Sequence, residues 1–312
     1  MSDLPARIGK LRVRDLLLLE YVHELGTLQK VAERLNVTQP AVTLALQVLE
    51  DAFGVPLVQR GRRGVTLTAT GEAILSRITV GRKELSAAYA MAVEPQAPHL
   101  RLGCSPVASM KILPLALARF FEDPPHAKVR ISLVESSVPA LWAQLNAGDL
   151  DAIVCRMPNA GQFELMMPGM MFETVGTERM VLVAARDSTL GNGPLDMAAL
   201  AAGQAWVLPP KDSLAYVMLT EWFVRAGFLP PVATITSASF QTSLLLVASA
   251  RMVTLAPEST ARALADALGL KIIETESAWG QILMVFAYRA SSLHLRELLA
   301  LKACFSATRE EV

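Results

Sequence analysis

Three arginines within four residues, Arg60, Arg62 and Arg63, form a dense knot of positive charge. Guanidinium groups bunched in this way neutralise phosphates and hydrogen-bond to their oxygens. Just upstream, Thr38, Gln39, Thr43 and Gln47 stand off an apolar stripe made by Val42, Leu46 and Leu49. Hydrogen-bonding side chains on the free side of a helix, with arginines close behind, suit the reading of double-stranded DNA.

Two helices and a wing would position these groups. In Thr27–Thr68, Thr27 is placed to cap a helix. Leu28, Val31, Ala32 and Leu35 then recur at helical spacing. Asn36-Val37 breaks that pattern, Thr38 offers a second cap, and Gln39-Pro40 fits a first helical turn. A helix pair of this kind can lay its second member in the major groove. Leu57-Val58 and Val65-Leu67 flank Gly61-Arg62-Arg63-Gly64 and predict a hairpin with a basic tip, suited to a phosphate backbone or a minor groove. The competing reading is a plain helical hairpin in a core, against which the N-terminal position and the arginines weigh.

At 312 residues, two or three domains are expected. With 52% hydrophobic and 19% charged residues, the chain is a cored protein, not a disordered one. It has no apolar run of the roughly 18 residues that a membrane span needs. The start, MSDLPARIGK, lacks the apolar centre of a signal peptide. Cys104, Cys155 and Cys304 are odd in number and far apart, which predicts a reducing cytoplasm. The four histidines (His23, His99, His126, His294) are scattered, so no metal site or cofactor is expected. Net charge is zero, but residues 1–93 carry +3 and the remainder −3. A basic head on a slightly acidic body fits a local phosphate contact.

Leu11–Leu25 reads as a first helix, with Leu16, Leu19 and Val22 closing the core under the pair and Gly26 as its stop. Thr70 to about Ala92 reads as a long helix. Along it Leu75, Ile78, Arg82, Leu85, Tyr89 and Ala92 step by 3 and 4 residues, a seam for dimerisation or for packing on its own domain. Glu94–Pro98 is a hinge. Beyond it, strands at 100–103, 129–134 and 151–155 alternate with helices at 109–122 and 138–147, which predicts an open α/β sheet. A second such unit has strands at 181–185, 205–208, 232–236 and 252–256 and helices at 213–226 and 239–248; residues 281–288 and a last helix, about 291–305, return to the first. Ligands in such sheets sit beyond the carboxyl ends of the strands, often between lobes.

With these parts in order the chain resembles the LysR-type transcriptional regulators. The likeness runs nearly full length and is strongest from Leu16 to Gly71, in VAERLNVTQPAVT, LEDAFGVPLVQR and GVTLTATG. LRLG, LPLALARFFED, LNAGDLDAIVCR and LLLVASARMVTLAP follow in sequence order. Within the family it is most similar to the branch of galactose-related and protocatechuate-related regulators. The resemblance implies an N-terminal all-α winged helix-turn-helix (1–68) and a linker and dimerisation helix (69–94). It also implies a C-terminal α/β, two-lobed, periplasmic-binding-protein-like domain (95–312), with lobe I at about 99–157 and 278–312 and lobe II at about 158–277. Implied partners are promoter DNA, a small carboxylate or aromatic-acid effector, further copies of the chain (a dimer, commonly a tetramer) and RNA polymerase.

The implied DNA-facing set is Thr27, Gln29, Thr38, Gln39, Pro40, Thr43, Gln47, Arg60, Arg62 and Arg63. Gln39, Pro40 and Thr43 match recognition-helix positions, and Arg63 would reach the minor groove. The implied effector-binding set is Ser105 and Val107 after the first strand, Ser136 and Ser137 after the second, Arg156 after strand 151–155, and Ser239 and Gln241 at a helix start. Arg156 matches a carboxylate-binding position, with a hinge salt bridge as its alternative role. Two stretches depart from the family. Leu44 and Ala45 replace a basic residue and a glutamine, so they would touch thymine methyls or leave specificity to DNA shape. Ala250 and Met252 crowd a loop where relatives carry glycines. An enzyme is not expected, since no nucleophile elbow, P-loop or dinucleotide fingerprint occurs. Two rivals are a redox sensor using Cys104 and Cys155 and a DNA binder without an effector.

Overall fold

The computed structural model describes residues 7–61, 64–93, 98–157, 169–191, 195–211, 213–275 and 281–308. It divides into a unit of residues 1–96 with 146–149 and a unit of the remainder.

In the first unit, α1 (Val13–Leu25), α2 (Leu28–Leu35) and α3 (Gln39–Phe53) are punctuated as the sequence dictates. Gly26 and Gly54 end helices in the left-handed region at φ 68° and 72°, and Asn36 does so at 54°. The Thr27 and Thr38 hydroxyls accept the backbone N–H groups of Lys30 and Ala41, each at 3.4 Å. Leu18, Leu19, Val22, Leu28, Val31, Val42, Leu46 and Leu49 meet in one core. β1 (Val58–Gly61) and β2 (Gly64–Leu67) form an antiparallel wing over that core, to which they add Val65 and Leu67.

Two devices fix the wing. A Glu50 carboxylate oxygen accepts the N–H groups of Leu57 and Val58 at 2.7 and 3.1 Å. The Val65 N–H donates to the Gly26 carbonyl at 2.9 Å, and a Cβ at Gly64 would sit 2.2 Å from that oxygen.

α4 (Ala69–Val93) follows. Its expected seam is split. Leu75 and Ile78, with Ile74, pack on the core beneath, and Arg82 pairs with Glu20 of α1 at 3.0 Å. Leu85 and Tyr89 are 57% and 72% exposed. Of the seam residues whose side chains are described, these two are the exposed ones; the side chain of Ala92 lies outside the described residues.

The second unit is a sheet whose strands stand in the order 130–135, 99–104, 152–157, 281–289, 170–185, 253–257, 206–208 and 235–236, with 270–273 also on 170–185. Its first lobe holds β3 (His99–Cys104), β4 (Arg130–Glu135), β5 (Ala152–Met157) and β11 (Gln281–Arg289), with α5 (Pro106–Met110), α6 (Ile112–Glu122), α7 (Val138–Ala147) and α12 (Arg296–Thr308). The second holds β7 (Trp206–Leu208), β8 (Ile235–Thr236), β9 (Val253–Pro257) and β10 (Leu270–Ile273), with α8 (Met197–Ala202), α9 (Leu214–Arg225), α10 (Phe240–Ala250) and α11 (Glu258–Leu268). One strand, β6 (Met170–Ala185), runs through both. Residues 170–179 pair with β11, and 180–184 pair with β9.

Several expectations need correction. The first ten residues of β6 belong to the sheet of lobe I, not to lobe II as a boundary at 158 implied. Helix 109–122 is two helices, broken at Lys111. The strand at 232–236 shrinks to two residues. α8, α11 and β10 were not anticipated. Arg156 lies inside β5 rather than after it, because the ladder to β11 extends to Met157↔Leu283.

Helices cover both faces of the sheet, which explains the near-continuous apolar strands. Arg289 is 1% exposed and donates 2.6 Å hydrogen bonds to the Leu145 and Leu150 carbonyls. Buried Asp151 accepts Arg101 at 2.6 Å and lies 3.9 Å from Arg289.

Candidate DNA-reading surface and sensor site

On α2 and α3 the side chains opposite the core define one surface. Gln29, Thr38, Gln39, Pro40 and Gln47 are exposed there; Thr43 and Thr27 are half-buried. Gln29 donates to Glu33 at 3.2 Å. Arg60 is exposed on β1, and Arg62 and Arg63 lie outside the described residues. Leu44 and Val48 are 62% and 51% exposed. Ala45, expected beside Leu44 on the DNA side, instead packs on the core. Val48 was missed because its apolar type suggested core; only the helical angle from Val42 and Leu46 reveals its outward position.

The residues expected to bind an effector are placed by strand direction. β3 and β4 run parallel to β5, and β7 and β8 run parallel to β9. The end of β5 reaches β6 through Met157↔Leu283 and Leu283↔Thr177. The end of β9 reaches it through Met180↔Pro257. Both sets of carboxyl ends therefore point at one short stretch of β6. Thr177 and Met180 are roughly 10 Å apart at about 3.3 Å per residue, the size of a small organic molecule. α5, α7, α9, α10 and α11 all begin at this line, where their N–H groups favour negative charge.

Ser105 precedes α5, buried, and its hydroxyl has no hydrogen-bond partner among the described residues. Its N–H donates to the Val154 carbonyl at 2.9 Å, which ties it to β5. Two residues along β5 from Val154, Arg156 occupies the same face and is half-buried. Burial pulls its guanidinium below the ordinary arginine value. Among the described residues no carboxylate pairs with it. Ser136 donates its N–H to the Cys104 carbonyl at 3.1 Å, and Ser137 opens α7. Val107 is buried on α5 and packs in the hydrophobic core of the sheet.

On the second lobe, Ser239 caps α10 by accepting the Thr242 N–H at 3.2 Å, and Gln241 is exposed. Two features were not anticipated. Thr260, fully buried on α11, also has a hydroxyl with no partner among the described residues. The start of α11 carries its own anions: Glu178 accepts the N–H and hydroxyl of Ser259, and Glu258 holds Arg179 at 2.8 and 3.0 Å. Hydrogen bonding from Arg179 holds the Glu258 carboxyl below its usual range. That helix start is already neutralised, whereas Arg156 has no carboxylate partner among the described residues. Reading ESTARALADAL as a helix after a strand end would have found both.

The thiols of Cys104 and Cys155 lie on opposite faces of the sheet. Cys104 stands opposite Val154, and Cys155 is the next residue along, facing the other side of the sheet. The two belong to different cores. Burial raises their pKa values to about 11 and about 12.

This arrangement, a winged helix-turn-helix joined to a two-lobed α/β body, defines a class, and comparison with known proteins agrees. Residues 13–72 match the family described as bacterial regulatory helix-turn-helix protein, lysR family, and residues 94–309 match the LysR substrate binding domain. The chain belongs to the LysR family.

It is 30% identical to the HTH-type transcriptional regulator IlvR of Caulobacter vibrioides, over 80% of this chain and 86% of that protein. It is 28% identical to PcaQ of Agrobacterium fabrum over 64% and 63%, and 31% identical to GalR of Pseudomonas putida over 68% and 52%. The matched part is thus under two thirds of PcaQ and about half of GalR. Among solved structures, full-length LysG from Corynebacterium glutamicum is 18% identical with a TM-score of 0.64, over 96% of this chain and 99% of that one. A full-length OxyR variant from Pseudomonas aeruginosa is 19% identical with a TM-score of 0.58, over 95% and 94%. At such identities these likenesses show the fold.

Proposed function

We propose that the chain is a transcriptional regulator of the cytoplasm that binds promoter DNA through α3 and the wing and is switched by a small carboxylate or aromatic acid. Gln39, Pro40, Thr43 and Gln47 face the bases and backbone of the major groove; Arg60, Arg62 and Arg63 follow the phosphates and minor groove. Two copies meet through Leu85 and Tyr89 of α4, and pairs join into a tetramer that addresses RNA polymerase. The effector lies where the carboxyl ends of the strands converge, with Arg156 on its carboxylate and Ser105 donating a hydrogen bond. Ser136, Ser137, Ser239 and Gln241 supply the remaining polar rim.

The observation that carries the sensor reading is the juxtaposition along β5: a half-buried arginine without a carboxylate and a buried hydroxyl without a partner among the described residues. A charge desolvated without compensation is costly, and a bound acid satisfies it. The test is thermal unfolding of the full chain with a panel of aliphatic and aromatic acids. A ligand at a hundred times its Kd adds about 2.7 kcal/mol. Arg156→Ala is expected to lose that shift and keep DNA binding without effector. An unchanged shift in the variant refutes the assignment of Arg156.

A further inference from the structure

The recognition helix carries a chemistry of its own. Between Gln39 and Phe53 it has no lysine or arginine. Its only ionisable groups are Glu50 and Asp51, and Glu50 is taken up by the backbone N–H groups of Leu57 and Val58. Bidentate reading of guanine by a cation, the commonest specific contact in the major groove, is therefore absent from this helix. Part of its outward face is apolar, with Asp51 exposed on the same side two turns beyond Leu44. Val37 in the preceding turn, Ala41, Leu44 and Val48 are all exposed, at spacings of 4, 3 and 4 residues. At 3.6 residues per turn, Leu44 lies about 160° from Val42 and Leu46 and so at the centre of the exposed face. Val48 lies about 40° to one side of it and Gln47 about 60° to the other. Among the described residues, the exposed cations nearest in the fold stand off α3, at Lys30 and Arg34 on α2 and Arg60 on the wing. Between Gln47 to one side and Asp51 two turns on, the patch of Ala41, Leu44 and Val48 itself offers no side-chain hydrogen bond.

The apolar feature on a base edge in the major groove is the C5-methyl group of thymine. We propose that α3 reads pyrimidine 5-methyl groups through Leu44 and Val48, with Gln47 available to a neighbouring adenine, so that each half-site is selected for A·T pairs. This rests on the DNA-binding reading above and adds the specificity of that surface. A methyl contact ignores the Watson–Crick identity of the pyrimidine, so 5-methylcytosine satisfies it as thymine does and unmodified cytosine does not.

The test uses the full chain and a duplex enriched from a random pool. The duplex is resynthesised with uracil in place of thymine at one position at a time, which removes a single methyl group and leaves every hydrogen bond. Binding is measured by fluorescence anisotropy. Burial of one methyl predicts about fourfold weaker binding per substituted position under α3. Cytosine placed there should bind more weakly, and 5-methylcytosine should restore the loss. Leu44→Ala, at an exposed position, should keep the unfolding midpoint and lose most of the uracil penalty. If the duplex binds and uracil equals thymine throughout, methyl reading is overturned while DNA binding stands. If no duplex is enriched, both readings fall. If Leu44→Ala leaves the uracil penalty intact but disrupts self-association, the stripe is a protein contact and the proposal is overturned.

Discussion

Treatment of the native protein with a disulfide reagent or hydrogen peroxide tests its core directly. Cys104 and Cys155 start from an ordinary thiol value of 9.0 and are raised by burial to about 11 and about 12. Each unit is tenfold in the fraction ionised, so their reactive thiolate falls about 100-fold and about 1000-fold below that of a free cysteine near neutral pH. Both side chains are also fully buried, so the reagent has to wait for local opening. Cys304, half-buried and raised by burial in the same direction, is expected to label first. The assay is the time course of thiol release, with and without denaturant, and peptide mass spectrometry for a 104–155 bond. One equivalent should react quickly and the other two only on unfolding. The same shifts give a pH dependence. Above about pH 9 the unfolded chain loses thiol protons that the folded chain keeps, so stability is full below pH 9 and declines as pH rises toward the folded values. A Cys104–Cys155 disulfide in the folded protein, or native labelling as fast as in denaturant, would refute the reasoning and restore a redox role.

Gly71→Ala places a Cβ 2.1 Å from the Leu57 carbonyl oxygen, a clash with backbone that cannot yield cheaply. It should cost about 3 kcal/mol in urea unfolding, the upper end for overpacking, and weaken DNA binding by shifting the wing. Asp151→Ala removes the carboxylate that lies 3.9 Å from the buried Arg289 guanidinium and should cost about 3–5 kcal/mol. A loss below 1 kcal/mol would mean that the carbonyls of Leu145 and Leu150 suffice. The pair Leu85→Glu and Tyr89→Glu should lower the mass measured by analytical ultracentrifugation while leaving the unfolding midpoint within about 1 kcal/mol, since both sites are exposed.

What the sequence disclosed tracks how local each signal is. The helix pair was legible because caps and stripes lie within a few residues: Thr27, Thr38, Gly26 and Gly54 act where their types predict. The parallel strands were legible as unbroken apolar runs. The first half of β6 was not. It carries Glu173, Thr174, Thr177, Glu178 and Arg179, and its partner β11 lies about a hundred residues downstream. Arg156 looked like a strand end because a cation so often marks one, yet the same distant partner holds it in the ladder. The α4 seam repeats one spacing throughout, so only the position of α1 distinguishes the turns of Leu75 and Ile78 from those of Leu85 and Tyr89. α11 hides its inward face among alanines, and with it Thr260, whose hydroxyl has no partner among the described residues.

The passage of β6 through both lobes constrains how the body can move. A two-lobed protein is usually imagined as a hinge, with a loop that folds and two rigid halves that swing. Here the connection includes a strand of 16 residues, bonded to β11 up to Arg179 and to β9 from Met180. Bending it at a point would break ladder bonds on both sides. Twisting it would not, and the register shift between Met284 and Val285 already marks a place of extra twist. The strand is expected to act as a torsion bar, so that a ligand at the proposed site beside its midpoint changes an angle rather than opening a gap. Amide exchange along Met170–Ala185 should accordingly stay slow with and without effector; fast exchange at Thr177–Met180 in the free protein would point to a true hinge instead.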